Sequence, residues 1–270
     1  MSFIPRYCLE TPTSYKNKIP YGNNSETGKY VVNHNTKIYY EMYGQGKPIV
    51  VSHSGVIGSI QEMGELIDNL SKSYLVIAIA TRGQGKSEIG NDIPSYELKA
   101  SDVKAVVDAT VKCPVTLIGF SDGAYITYFF AAQYPELTEK IVCIGAGEWK
   151  KNWRVIPEFE VFRKRDELYW EEQKKIRPEP DKMNEWYQPL KQYYESLIIG
   201  EEIFGKIQCP TLVMAGDRDP NAPLQAIVDA FKMLKNSQLS IIPNAYHAVL
   251  NQNFDQAFPI ILNFITKFEN

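Results

Sequence analysis

At 270 residues, with 44% apolar and 23% charged residues, the chain can bury a large core and has the composition of a globular enzyme. A net charge of −3 leaves no basic footprint for nucleic acid or an anionic membrane, and no apolar run approaches the length of a membrane span. Met1 to Glu10 has no apolar stretch of the kind a secretory leader carries, and the four cysteines (Cys8, Cys113, Cys143, Cys209) share no C-x-x-C spacing. They read as free thiols in a reducing, cytoplasmic setting, with no zinc site.

Residues 1–28 are rich in Pro, Asn, Thr and Tyr without periodicity and read as an arm packed on the surface. Lys29 to Val32 and Lys37 to Tyr43 are β-rich, and Asn33-His34-Asn35-Thr36 between them predicts a hairpin. After Gly44-Gln45-Gly46-Lys47 the pattern alternates. Strands are expected at Pro48 to Ser52, Tyr74 to Ala80, Pro114 to Gly119, Lys140 to Ala146, Pro210 to Ala215 and Gln238 to Ile242. Helices are expected between them at Ile60 to Leu70, Ser95 to Val111, Asp122 to Gln133, Pro223 to Leu234 and Asp255 to Phe268. Apolar strands alternating with amphipathic helices give an α/β class, a mostly parallel central sheet with helices on both faces. One gap interrupts the rhythm. Residues 147–207 carry no β signal but hold all four tryptophans, Trp149, Trp153, Trp170 and Trp186, among dense charge. A structureless loop of that length is improbable, so the stretch predicts a helical insertion, a cap on a core formed by 29–146 and 208–270.

The chemistry concentrates in Gly119-Phe120-Ser121-Asp122-Gly123, a turn between a buried strand and a breaker-free helix. G-x-S-x-G in that setting is a nucleophile elbow, which holds serine in a strained backbone above the sheet. A serine hydroxyl needs a base to take its proton and a carboxylate to orient the base. Of the three histidines, His34 sits in the hairpin turn, whereas His53 and His247 lie beyond the carboxyl ends of strands, where ligands of open α/β sheets bind. The order nucleophile, acid, histidine selects His247. The strand before it ends in Gly216-Asp217-Arg218-Asp219, which offers two acids.

From Tyr30 to Phe268 the chain resembles the α/β-hydrolases of the esterase and aminopeptidase type. The residues that carry the resemblance are His53-Ser54-Gly55, Arg82-Gly83-Gln84-Gly85-Lys86-Ser87, the elbow, Gly216 to Asp219 and His247. The resemblance implies an α/β-hydrolase fold with a helical cap and Asp219 as the triad acid, with Asp217 a weaker and Glu148 a distant third choice. It also implies an oxyanion hole from the backbone amides of Asp122 and Gly55. Ser54 stands where the family has glycine, and Ala80 where relatives often carry aspartate. The Ser-Asp-Gly elbow is similar to that of valacyclovir-hydrolase-like enzymes, which cleave amino-acid esters. This gives the Asp122 side chain two readings: an anchor for a substrate ammonium, or a negative charge at the start of a helix.

The expected function is therefore a serine hydrolase that cleaves a carboxylic ester, or an amide or amino-acid ester, of a small-molecule substrate through an acyl-enzyme, without metal or organic cofactor. Acyl transfer to another acceptor, or ligand binding without catalysis, are the alternatives on the same fold. Ala80 to Ser87 ends in Gly-Lys-Ser like a phosphate-binding loop, but the residues that follow, Glu88 to Pro94, could not open a helix, and the leading glycine is missing.

Overall fold

A computed structural model describes residue 7 and residues 15–267, so Cys8, Phe268 and the first half of the expected arm lie outside the described residues. The centre is an eight-stranded sheet. Strands β1 (Lys29–Asn33) and β2 (Thr36–Tyr43) form the antiparallel hairpin, and β2 runs antiparallel to β4 (Leu75–Ile79). All further pairings are parallel: β4 with β3 (Pro48–Ser52), β3 with β5 (Val115–Phe120), then β6 (Thr138–Ile144), β7 (Thr211–Gly216) and β8 (Ser237–Ile242).

Alternation along the strands sends side chains into two cores. Val50, Ile77, Leu117, Ile141 and Val213 face α2 (Tyr96–Thr110), α3 (Asp122–Gln133) and α8 (Leu224–Met233). Ile49, Val51, Val76, Ile118 and Val142 face α1 (Gly64–Leu70) and, at the far end of the chain, α10 (Phe254–Lys267). α3 is buried from Asp122 to Ala131, which is why its sequence is apolar around the whole circumference. α2 starts where the Ser95 side chain accepts the N–H of Leu98 at 3.1 Å.

The β-free stretch folds as α4 (Phe159–Arg165), α5 (Glu167–Ile176), α6 (Met183–Ser196) and α7 (Glu201–Phe204), all between β6 and β7. Its buried aromatic residues belong to the same continuous apolar cluster as α2 and α3. Two details differ from the sequence expectation. Ile60 to Leu70 is not one helix but a 3-10 turn, Ile60–Met63, followed by α1, and the break falls at Gly64, where a Cβ would come within 2.2 Å of Asn17 Oδ1. A four-residue helix, α9 (Val249–Gln252), is too short to leave a periodic signal. The Gly-Lys-Ser loop opens no helix, since α2 begins only at Tyr96. The Ser87 hydroxyl donates to Ala80 O at 2.7 Å and accepts the N–H of Tyr39 at 2.8 Å. Cys113, Cys143 and Cys209 are free thiols.

Candidate active site

Ser121 sits between β5 and α3 with φ 54° and ψ −115°, a region that L-residues rarely enter. The flanking glycines are steric necessities. A Cβ on Gly119 would lie 2.2 Å from Gly123 O, and one on Gly123 would lie 2.3 Å from Ser52 O, both rigid backbone atoms. The chain can make the turn only where these two side chains are absent, and the strain lifts the Ser121 hydroxyl to the end of the central strand.

Ser121 Oγ is 2.9 Å from His247 Nε2, and His247 Nδ1 is 2.7 Å from Asp219 Oδ2. The Asp219 side chain is fully buried, and its other oxygen accepts the N–H groups of Asn221 at 2.8 Å and Ala222 at 2.9 Å. A carboxylate can only accept, so the imidazole proton lies on Nδ1 and the Nε2 lone pair faces the serine. Asp217 instead accepts the N–H of Ala245 at 3.2 Å, pinning the loop that carries His247, and Glu148 pairs with Lys150 at 2.9 Å. Gly145, which the sequence reading passed over, leaves room for the histidine. Its φ is +67°, and a Cβ there would be 3.1 Å from His247 Cε1. His34 lies in the hairpin turn, half-exposed beside Asp92.

The loop after β3 brings Gly55 against the elbow, where a Cβ would come within 2.9 Å of Asp122 Cβ. His53 anchors this loop. Its Nδ1 donates to Ser54 O at 2.7 Å and its Nε2 accepts the N–H of Thr81 at 3.1 Å. Burial pulls its pKa down to about 4, so the ring is a neutral strut. Ser54, the departure from the family glycine, bonds to Glu62 through both its N–H and its hydroxyl, the latter at 3.0 Å. The next residue but one, Val56, has φ 30°, a strained value for a β-branched side chain, so the loop is fixed in an uncommon shape.

The Asp122 side chain stands as a negative charge in the first turn of α3, and it is also paired inside the protein. Its Oδ2 is 2.6 Å from Lys99 Nζ, and its Oδ1 accepts the hydroxyls of Tyr194 at 2.6 Å and Tyr96 at 2.8 Å. Burial alone would raise its pKa, but the Lys99 charge and hydrogen bond and the two phenols outweigh it and hold the carboxyl below its usual value. The charge is thus matched inside the protein. Lys99 also lies over the rings of Tyr96 and Tyr194, at 5.2 Å and 5.5 Å, which ties α2, the elbow and α6 into one cluster.

Above Ser121 and His247 opens a cavity of about 770 Å³. Gly55 and Asp122 line its floor, while Trp149, Trp153, Arg154 and Tyr187 from the β6–β7 insertion line its walls. The other two tryptophans, Trp170 and Trp186, are buried and do not line it. Among the described residues no three His, Cys, Asp or Glu side chains are grouped as a metal site, and no helix is long and apolar enough to cross a membrane.

A model of the family described as "Serine aminopeptidase, S33" matches residues 44–253, a span that runs from before β3 to α9 and takes in the elbow, Asp219 and His247. Serine hydrolase BPHL of Homo sapiens is 27% identical over 244 residues, covering 84% of this chain and 82% of its own. Non-heme haloperoxidase of Rhodococcus erythropolis is 27% identical over 266 residues, covering 85% of this chain and 96% of its own. Among solved structures, the serine hydrolase of carbazole degradation, CarC, superposes with a TM-score of 0.75 at 19% identity, covering 88% of this chain and 98% of its own. The mostly parallel sheet, the strained elbow serine and this agreement over most of the chain make it a hydrolase of the α/β-hydrolase superfamily, and within it the chain belongs to the serine aminopeptidase family S33.

Proposed function

We propose that this hydrolase cleaves a carboxylic ester, or a related amide, of a small molecule by acyl transfer to water. Ser121 Oγ attacks the carbonyl carbon while its proton passes to His247 Nε2, and Asp219 holds the imidazole in the tautomer that can accept it. The tetrahedral oxyanion lies between the N–H groups of Gly55 and Asp122. As the first residue of α3, Asp122 has an N–H with no partner inside the helix. Collapse breaks the bond to the leaving group, which takes the proton from His247 and leaves an acyl-Ser121. Water, deprotonated by His247, then attacks the acyl carbon, and collapse of this second intermediate breaks the acyl–Oγ bond, so that the carboxylic acid leaves and Ser121 Oγ takes the proton back from His247. Residues 147–207 act as a cap that shields these steps from bulk water and shapes the pocket.

The observation that carries this reading is the Ser121–His247–Asp219 hydrogen-bond chain, with links of 2.9 Å and 2.7 Å, at the floor of the large cavity. The likeness to a protein named serine hydrolase supports it. The free thiols of Cys113, Cys143 and Cys209 support a cytoplasmic setting. The test is a panel of p-nitrophenyl esters, amino-acid esters and peptides, run with wild type and Ser121→Ala, together with mass analysis after a fluorophosphonate. Turnover and a single adduct on Ser121, both lost in the variant, are expected. Wild-type turnover by Ser121→Ala would remove the mechanism.

A further inference from the structure

The acids that line the cavity and the buried acid behind it are all engaged. Asp122 is paired with Lys99 and Glu62 with the N–H and hydroxyl of Ser54, while Asp219, behind His247, meets that ring and two backbone amides. One cation of the cavity wall is not. Arg154 stacks on Trp149, with its guanidinium carbon 4.1 Å from the ring centroid, and reaches Trp153 at 5.4 Å. Its Nε and Nη2 are buried and have no hydrogen-bond partner among the described residues. These two nitrogens form one edge of the guanidinium fork, the edge whose parallel N–H groups fit the two oxygens of a carboxylate. The hydroxyl of Tyr125, one helical turn after Ser121, is also buried, makes no hydrogen bond of full geometry among the described residues, and lines the same cavity. Burial raises the Tyr125 pKa, while the Arg154 charge, the Gly147 backbone and the Arg154 side chain lower it and the Asp219 charge raises it, so the phenol lies close to the guanidinium.

We propose that Arg154, with the Tyr125 hydroxyl beside it, is the anchor for a free carboxylate on the substrate, so that the enzyme acts on esters or amides that carry a second, ionised carboxyl group. The anchor is part of the cavity in which Ser121 acts, so the proposal rests on the hydrolase reading above. A buried guanidinium edge without an acceptor is costly, and a planar anion satisfies both N–H groups at once. Stacking on Trp149 fixes the plane of the fork before the substrate arrives, so little rotamer freedom is lost on binding.

The test compares the mono-p-nitrophenyl ester of adipic acid with its methyl-capped, uncharged counterpart of the same shape. Wild type should favour the charged ester in kcat/KM by roughly 10- to 150-fold, the worth of a hydrogen bond to a charged group. Arg154→Gln should collapse that ratio, and Arg154→Lys, which keeps the charge but not the fork, should retain part of it. A second arm follows tryptophan fluorescence of Ser121→Ala on titration with succinate, adipate and suberate against dimethyl adipate. A response to at least one dicarboxylate, absent with the diester and lost on adding Arg154→Gln, is expected. If neither ester is turned over but a dicarboxylate still binds through Arg154, the ester chemistry fails and the anchor stands. If the esters are cleaved without preference, or with a preference that Arg154→Gln leaves unchanged, the anchor is wrong.

Discussion

Lys99→Met perturbs the site without touching an atom of Ser121, His247 or Asp219. Lys99 and Asp122 form an ion pair at 2.6 Å, with side chains only 4% and 5% exposed. Methionine fills almost the same volume, so no cavity opens, but the Asp122 carboxylate is left buried without its cation. Breaking a buried pair in this way costs about 3–5 kcal/mol. Because two phenols still donate to Oδ1, the lower end applies, about 3 kcal/mol, or roughly 6–12 °C of melting temperature for a chain of this size. Adding Asp122→Asn should recover most of the loss, since the amide oxygen keeps both phenol hydrogen bonds and no charge remains to desolvate.

The pH dependence gives this prediction a sign. In the wild type the Asp122 pKa lies below 3.8, so its contribution to stability is complete above that value and is lost as pH falls through the depressed one. Without Lys99 burial dominates, the folded pKa rises above the unfolded one, and the penalty is greatest at neutral pH. The stability gap between Lys99→Met and wild type should therefore narrow as pH falls towards about 4. Thermal and urea unfolding of the two single variants and the double variant across that range measure it. A gap that is independent of pH, or a double variant whose loss equals the sum of the two single losses, would refute the argument.

Further outcomes follow from the same geometry. Ser121→Ala and His247→Ala should each lower kcat by several orders of magnitude in ester hydrolysis with unchanged circular dichroism. Asp219→Asn should cost a large factor in kcat, whereas Asp217→Asn and Glu148→Gln should leave kcat within a few-fold, and a reversal between the two aspartates would reassign the acid. Gly123→Ala puts a Cβ 2.3 Å from a strand carbonyl and should abolish the folded elbow, seen as insoluble protein or a large drop in melting temperature. Gly145→Ala must strain a φ of +67° and crowd the imidazole at 3.1 Å, so kcat should fall more than KM changes.

Much of this was legible in the sequence because the relevant signals are local. The central strands are continuous apolar runs, since parallel strands are covered on both faces, and the elbow glycines are fixed by contacts within the turn or with the next strand. The helices of the insertion were not separable. Their buried faces are short, aromatic and interleaved with charge, and their partners are α2 and α3, distant in the chain. Gly145 was missed for a similar reason, because what it accommodates is a histidine about a hundred residues later. Lys99 left a mark that could have been used. Tyr96, Ala100, Val103, Val106 and Val107 make the buried stripe of α2, and Lys99 falls on that stripe. A lysine there must find an acid, and the elbow helix that packs on α2 begins with one.

That pairing also changes what the elbow motif means for charge selection. A carboxylate beside the nucleophile would be expected to attract a substrate ammonium, provided it has a free face towards the cavity. Here one oxygen of Asp122 meets Lys99 and the other accepts two phenols. A substrate cation would have to displace an internal ammonium whose side chain is only 4% exposed, so this arrangement gives it little to gain. The carboxylate acts instead on the protein. It clamps α6 to α2 at the point where the backbone N–H of residue 122 leaves the helix, and so it fixes that N–H relative to the strained serine next to it. The three letters Ser-Asp-Gly therefore do not by themselves set a substrate charge, because the carboxylate they carry here is paired with Lys99 of the neighbouring helix.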